Sequence, residues 1–194
     1  MKRLNFVFAA ALIATIASPV AAQYGSKSYE FLKAVRDRDG TKATELLKTN
    51  PPSMINLKDE DGNTPLIIAI ARKDDQWTSF MINHGADVNL PGKNGDTPVI
   101  VAARAGFRDA AGWLITAGAK VDAANRMGET ALIVATQARD VETVRLLLRA
   151  GADPDKTDSA AGLSARDYAT RDSRSRQILQ LIEAKKPKGA TAAR

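Results

Sequence analysis

Apolar residues come along this chain in paired blocks of two kinds. The first kind is short and apolar on nearly every side: Leu66-Ile67-Ile68-Ala69-Ile70, then Val99 to Ala103, then Ala131 to Thr136. Such a block predicts a short helix buried on several sides. The second kind is spaced. Trp77, Phe80, Met81 and Ile82 place one stripe inward at helical intervals, as do Val141, Val144, Leu146, Leu147 and Leu148, with Trp113, Leu114 and Ile115 between them in the chain. Polar breaks such as Asp74-Asp75, or a lone Gly106, separate the two members of a pair. Each unit therefore predicts a turn, a helix, a tight loop and a second helix. Thr64, Thr97 and Thr130 stand where an N-cap belongs, and Pro65 and Pro98 suit the first helical position. Gly85, Gly118 and Gly151 fit the left-handed residue that ends the second helix.

The units recur at a fixed step. Gly62-Asn63-Thr64-Pro65, Gly95-Asp96-Thr97-Pro98 and Gly128-Glu129-Thr130-Ala131 are 33 residues apart, and so are Gly85-Ala86-Asp87-Val88-Asn89, Gly118-Ala119-Lys120-Val121-Asp122 and Gly151-Ala152-Asp153-Pro154-Asp155. Two independent phrases on one period resemble the ankyrin repeat. The resemblance implies an all-α ankyrin-repeat solenoid of helix-turn-helix units with short β-turn fingers, three clear repeats and two capping repeats. One departure is systematic: Ile67, Ile100 and Ile133 stand where the family usually places the His of its Thr-Pro-Leu-His phrase. Packing must there replace polar bridging.

Both flanks read as degraded repeats. Phe31, Leu32, Ala34, Val35, Leu46 and Leu47 supply two helices without a Thr-Pro opening, and Ile55-Asn56 restores the turn phrase after Pro51-Pro52. Gly162-Leu163-Ser164-Ala165 echoes the opening phrase, and Ile178, Leu179, Leu181 and Ile182 follow with a polar outer face, as the end of a solenoid requires. The expected divisions are a signal peptide over 1–22, a short linker over 23–27 and an ankyrin domain over 28–184. Within the domain lie an N-terminal cap (28–58), repeats over 59–91, 92–124 and 125–157, and a C-terminal cap (158–184). Residues 185–194 read as a basic disordered tail.

The leader and the charge set the context. Lys2-Arg3, an apolar run from Phe6 to Ile16 and Val20-Ala21-Ala22 have the order of a secretory signal peptide, cut after Ala22. A periplasmic location is expected, or secretion beyond it, and no stable membrane insertion after cleavage. The formal charge is +6, but +2 belongs to the leader and +5 to the residues from Ser164 onward, which leaves −1 for 23–163. A near-neutral body lacks the basic stripe that nucleic acid wants. The basic C-terminal group, Arg174, Arg176, Lys185, Lys186 and Lys188, reads either as a contact for an anionic surface or, preferably, as a solvated end.

Groupings that carry chemistry are sparse. There is no Cys, and His84 is the one His, placed to cap a helix end. Asp59-Glu60-Asp61 lacks the alternating ligands and closing Glu of a calcium loop. Trp77 and Trp113 are expected to fill the space between helix layers. No catalytic, cofactor or metal residues are expected, and the chain is read as a non-enzymatic monomer that binds another protein. In ankyrin arrays the concave face makes the contacts, through finger tips and the exposed ends of first helices. The matching positions are Glu60, Asp61, Asn63 and Arg72, then Lys93, Asn94, Asp96 and Arg104, then Arg126, Met127, Glu129 and Gln137. Arg72, Arg104 and Arg126 are expected to line one side of that groove.

Overall fold

The computed structural model describes residues 19–184, in which ten α-helices follow one another with no strand longer than an isolated bridge. They are α1 (Pro19–Asp37), α2 (Gly40–Thr49), α3 (Pro65–Ala71), α4 (Asp75–Asn83), α5 (Pro98–Ala105), α6 (Arg108–Thr116), α7 (Ala131–Gln137), α8 (Val141–Arg149), α9 (Ala165–Arg171) and α10 (Arg176–Ala184). They form five antiparallel pairs. The first helices α3, α5, α7 and α9 pack in succession as an inner row, and α4, α6, α8 and α10 follow as an outer row. Most of the leader and the whole tail over 185–194 lie outside the described residues. Residues 23–27, expected as a linker, are helical: α1 runs through them without a break.

The inner row explains the nearly all-apolar blocks. Each first helix has a second helix on one side and repeats above and below, so Ile70, Ile100, Ala102, Ala103, Leu132, Ile133 and Ala135 are fully buried. The three isoleucines at the usual His position, Ile67, Ile100 and Ile133, all belong to this core. The spaced pattern of the second helices matches their single buried stripe, seen in Val144, Leu147 and Leu148 of α8.

Helix ends are closed mostly as the sequence predicts. The Thr64 and Thr130 hydroxyls accept from the Ile67 and Ile133 amides at 3.3 Å. Thr97 differs. It occupies the N-cap of α5, but its hydroxyl caps nothing and is buried without a partner. Gly118 and Gly151 have φ of +91° and +96°, as the left-handed helix stop requires. The second helices start on Asp74 and Asp140, whose carboxylates accept from Trp77 and Thr143 amides, whereas α6 starts on Phe107 with no side-chain cap.

The two tryptophans part ways. Trp77 is 8 % exposed and fills the helix layer as expected, but Trp113 is 37 % exposed on the outer side. They are 36 residues apart rather than 33, so the repeat partner of Trp113 is the half-buried Phe80, while the position of Trp77 falls to the buried Ala110. Trp113 stays partly covered by an edge contact to Phe107, ring centres 5.9 Å apart.

Candidate protein-binding face

Between the helix pairs the chain projects fingers, each closed by a backbone hydrogen bond: Asp59 N–H to Asn63 O (2.9 Å), Gly92 to Asp96 (2.9 Å), Asn125 to Glu129 (3.0 Å) and Asp158 to Leu163 (3.0 Å). In three of the four the first residue also folds its side chain over the loop. Asp59 Oδ1 accepts from the amides of Asp61 (3.0 Å) and Asn63 (2.9 Å). Asn125 Oδ1 accepts from Met127 and Glu129, both at 2.9 Å. Asp158 Oδ1 accepts from Ala161 (2.7 Å) and Gly162 (3.1 Å). The second finger has Gly92 there, and a Cβ on it would stand 2.7 Å from both Asn63 Oδ1 and Ile67 Cδ1. The neighbouring finger supplies the missing support: Asn63 Oδ1 accepts from the Lys93 amide at 3.1 Å.

The fingers are also tied in series. Arg126 N–H donates to Asn94 O (3.1 Å) and Ser159 N–H to Met127 O (2.8 Å). The turn phrases bridge the far ends of the repeats in the same way: Asn56, Asn89 and Asp122 side chains accept from the amides of Asp87, Lys120 and Asp153 at 2.7–2.9 Å. These side-chain bridges account for Asn or Asp at 56, 89 and 122, and Asp155 at the same position pairs with Arg166.

The candidate residues fall into two sets on this frame. Glu60, Asp61, Lys93, Asn94, Arg126 and Met127 are exposed at finger tips, with Met127 at 46 % the only large apolar side chain among them. Asp61 and Lys93 pair across fingers at 3.5 Å. Asn63, Asp96 and Glu129 lie lower and are half-buried. Arg104 Nη2 reaches both carboxylates, Asp96 at 3.4 Å and Glu129 at 3.1 Å, and Asn125 Nδ2 donates to the same two at 2.8 Å each. Gln137 ends α7 beside the Tyr168 hydroxyl, which donates to Asp158 at 2.6 Å.

The arginine row has a different character from the one the sequence suggests. Arg72 sits at the end of α3 and donates to Arg36 O of the N-terminal cap at 3.2 Å. Arg104 is the bridge of a four-residue network, and Arg126 is a free finger tip. Their spacings of 32 and 22 residues explain this, since neither equals the repeat.

Sequence reasoning missed Asn125, the buried centre of the network, and Asp59 and Asp158, which shape their fingers. A signal existed: Asp59, Asn125 and Asp158 occupy one position of the 33-residue register, with Gly92 as the exception. Of the Asp59-Glu60-Asp61 run, expected as a solvated turn, Glu60 and Asp61 are exposed and Asp59 is largely covered. Asp59 is committed to its own loop and lies 3.8 Å from Arg36. Among the described residues no group of three or more His, Asp or Glu is placed to hold a metal ion. His84 ends α4, stacked on Phe80 with its Nδ1 2.8 Å from Phe80 O.

With this geometry the repeat assignment is direct. A family model for ankyrin repeats in three copies matches residues 21–125 and 94–158. The chain belongs to the ankyrin-repeat family. No curated protein matches it. Ankyrin repeats generally mediate protein–protein interaction and are typically non-enzymatic. Among the described residues no helix is long and apolar enough to cross a membrane.

Proposed function

We propose that this chain is a binding or scaffold module that takes a protein partner on the face made by its fingers and first helices. The observation that supports this most is the serial tying of the fingers. Each loop is closed by its own hydrogen bond and then bonded to the next. A surface ordered in advance loses little freedom on binding, which favours affinity. At the tips, Glu60, Arg126 and Met127 have no hydrogen-bond or ionic partner for their side chains and stand in solvent. Repeat arrays use such extended surfaces rather than closed pockets.

The module acts in the periplasm after export by its leader; action outside the cell, on a host or a competitor, is the second reading. The leader signals support export. Cleavage after Ala22 would leave Phe31, Ala34 and Val35, the buried residues of α1, in the mature chain. N-terminal sequencing of the expressed protein should find Gln23 first, and retention of Met1 would overturn export.

Binding is tested with Glu60→Ala, Arg126→Ala and Met127→Ala together. These exposed changes should leave the melting temperature within the effect of about 0.5 kcal/mol usual for surface sites. Capture of partners from envelope extract should fall strongly. Undiminished capture by the folded triple variant would remove the finger tips from the binding site. Arg104→Ala is a poorer probe, because it also strips the cation from two half-buried carboxylates.

A further inference from the structure

We propose that the outer groove between α8 and α10 is a second docking site, for an acidic protein segment that seats an aliphatic side chain between its carboxylates. Three grooves of the outer row serve as controls for one another. The one between α2 and α4 is lined by Gly40, Thr41, Thr44, Glu45, Lys48 and Phe80, with one charge of each sign. The one between α4 and α6 is lined by Ser79, Ile82, Asn83, Trp113, Thr116 and Ala117 and carries no charge. The third is lined by Arg145, Leu148, Arg149, Leu181 and Ala184, so its floor is apolar and both of its charges are cationic.

Little inside the protein offsets those cations. Arg145 has Glu142 at 3.6 Å, with that carboxylate more than half exposed, and Arg149 has no ionic partner. Glu183, on α10, forms an ion pair with neither arginine within 4.0 Å. Arg149 also suits the negative end of α8. That accounts for Arg149, and Arg145 a turn earlier has only the exposed Glu142 beside it.

The floor decides between an acidic protein segment and an anionic bilayer. Stable surface binding to lipid needs apolar side chains that insert as well as electrostatic attraction. The exposed large hydrophobics among the described residues are Tyr29, Trp113 and Met127, and none lines this groove. Leu148 is buried and Leu181 half-buried, so the ligand must bring the protruding side chain. Arginine forks on the rim are suited to carboxylates.

The test is fluorescence anisotropy with the full chain and a labelled hexapeptide of sequence Glu-Glu-Leu-Leu-Glu-Glu, alongside phosphatidylglycerol vesicles. The wild type should bind the peptide, more weakly as salt is raised. Arg145→Gln with Arg149→Gln should lower the affinity by about tenfold, and the corresponding Lys pair should retain it within about twofold. The finger-tip triple variant should bind the peptide like the wild type, which separates this site from the finger face. The proposal is overturned by no peptide binding, by equal binding of the Gln pair, by loss in the finger-tip variant alone, or by binding to vesicles and not to peptide.

Discussion

The middle of the stack and its C-terminal end hold their repeats together by different means. In the middle, α5 meets α3 and α7 through side chains such as Ile100, Ala102, Ile133 and Ala135, none of them exposed. The turn after α5 is Gly106-Phe107, without an ion pair or a side-chain cap. At the end, α9 and α10 have a neighbour on one side only. There two ion pairs cross to the stack, Arg139 to Asp172 and Arg166 to Asp155, both at 2.6 Å, while within the cap Tyr168 donates to Asp158 and Ser164 and Asp167 form a reciprocal capping box. A repeat with two neighbours buries apolar surface on both sides, and its polar ties, such as Arg104 to Glu129, lie at the finger edge. A repeat with one neighbour must keep a wet outer face, so more of its attachment falls to charge and hydrogen bonding.

The contrast is broken most forcefully at Ile100. Ile100→Asp places a carboxylate between repeats where no partner exists, and should destabilise by about 4 kcal/mol or more, measured by urea unfolding. A loss of under about 1 kcal/mol would show that the middle junction admits water or rearranges freely.

Asp158 is the counterpart at the polar end. It is buried, takes the Tyr168 hydroxyl and is bonded by the amides of Ala161 and Gly162. Asp158→Ala should cost about 2–3 kcal/mol, because several donors lose their acceptor in a covered place. A neutral effect would mean that the C-terminal cap rests on Ile178 and Ile182 alone.

Acid should distinguish the two regions without mutation. The Tyr168 hydrogen bond, helped by finger amides, holds the Asp158 carboxyl below its usual range. The Ser164 hydroxyl and amide do the same for Asp167, and the Arg174 amide with the Arg139 side chain brings Asp172 down to about 2. Each folded pKa is depressed, so this stabilisation is complete above the ordinary carboxylate value near 3.8 and is lost as pH falls through the folded values. Tyr168 is shifted the other way: the hydrogen bond to Asp158, with burial and that negative charge behind it, raises the phenol and outweighs Gln137. Its contribution is complete below about pH 10 and is lost as pH rises through the folded value. Between pH 4 and 2, hydrogen exchange in α9 and α10 should accelerate before that in α5 and α7. Simultaneous acceleration in all four helices would show that the cap and the stack unfold as one unit.

The smallest effect has the opposite sign. Thr97→Val replaces a buried, unpartnered hydroxyl by a methyl of the same shape and should stabilise by up to about 1 kcal/mol. The same change at Thr130, which caps α7, should destabilise by about 1 kcal/mol. Equal losses at both sites would place a hydrogen bond on Thr97.

Much of this molecule follows from sequence because a repeat states its rule several times. Two phrases on a 33-residue step, with one all-apolar and one striped block between them, determine the helix pairs, their order and their stacking, since no single pair can cover its own apolar faces. The left-handed stops at Gly118 and Gly151 follow equally, because few side chains tolerate that backbone. What only the tertiary structure decided lies where copies differ or neighbours meet. Thr97 reads as a cap like Thr64, yet its hydroxyl bonds nothing. Trp113 looks like a match for Trp77, yet three residues of offset turn it outward. Arg104 reads as a free contact, yet the adjacent finger brings Glu129 to it across 25 residues. The reason is physical: helix periodicity and turn chemistry are local and written in each copy, whereas hydrogen bonds between repeats depend on which side chains successive copies bring face to face, and that is fixed only when the copies stack.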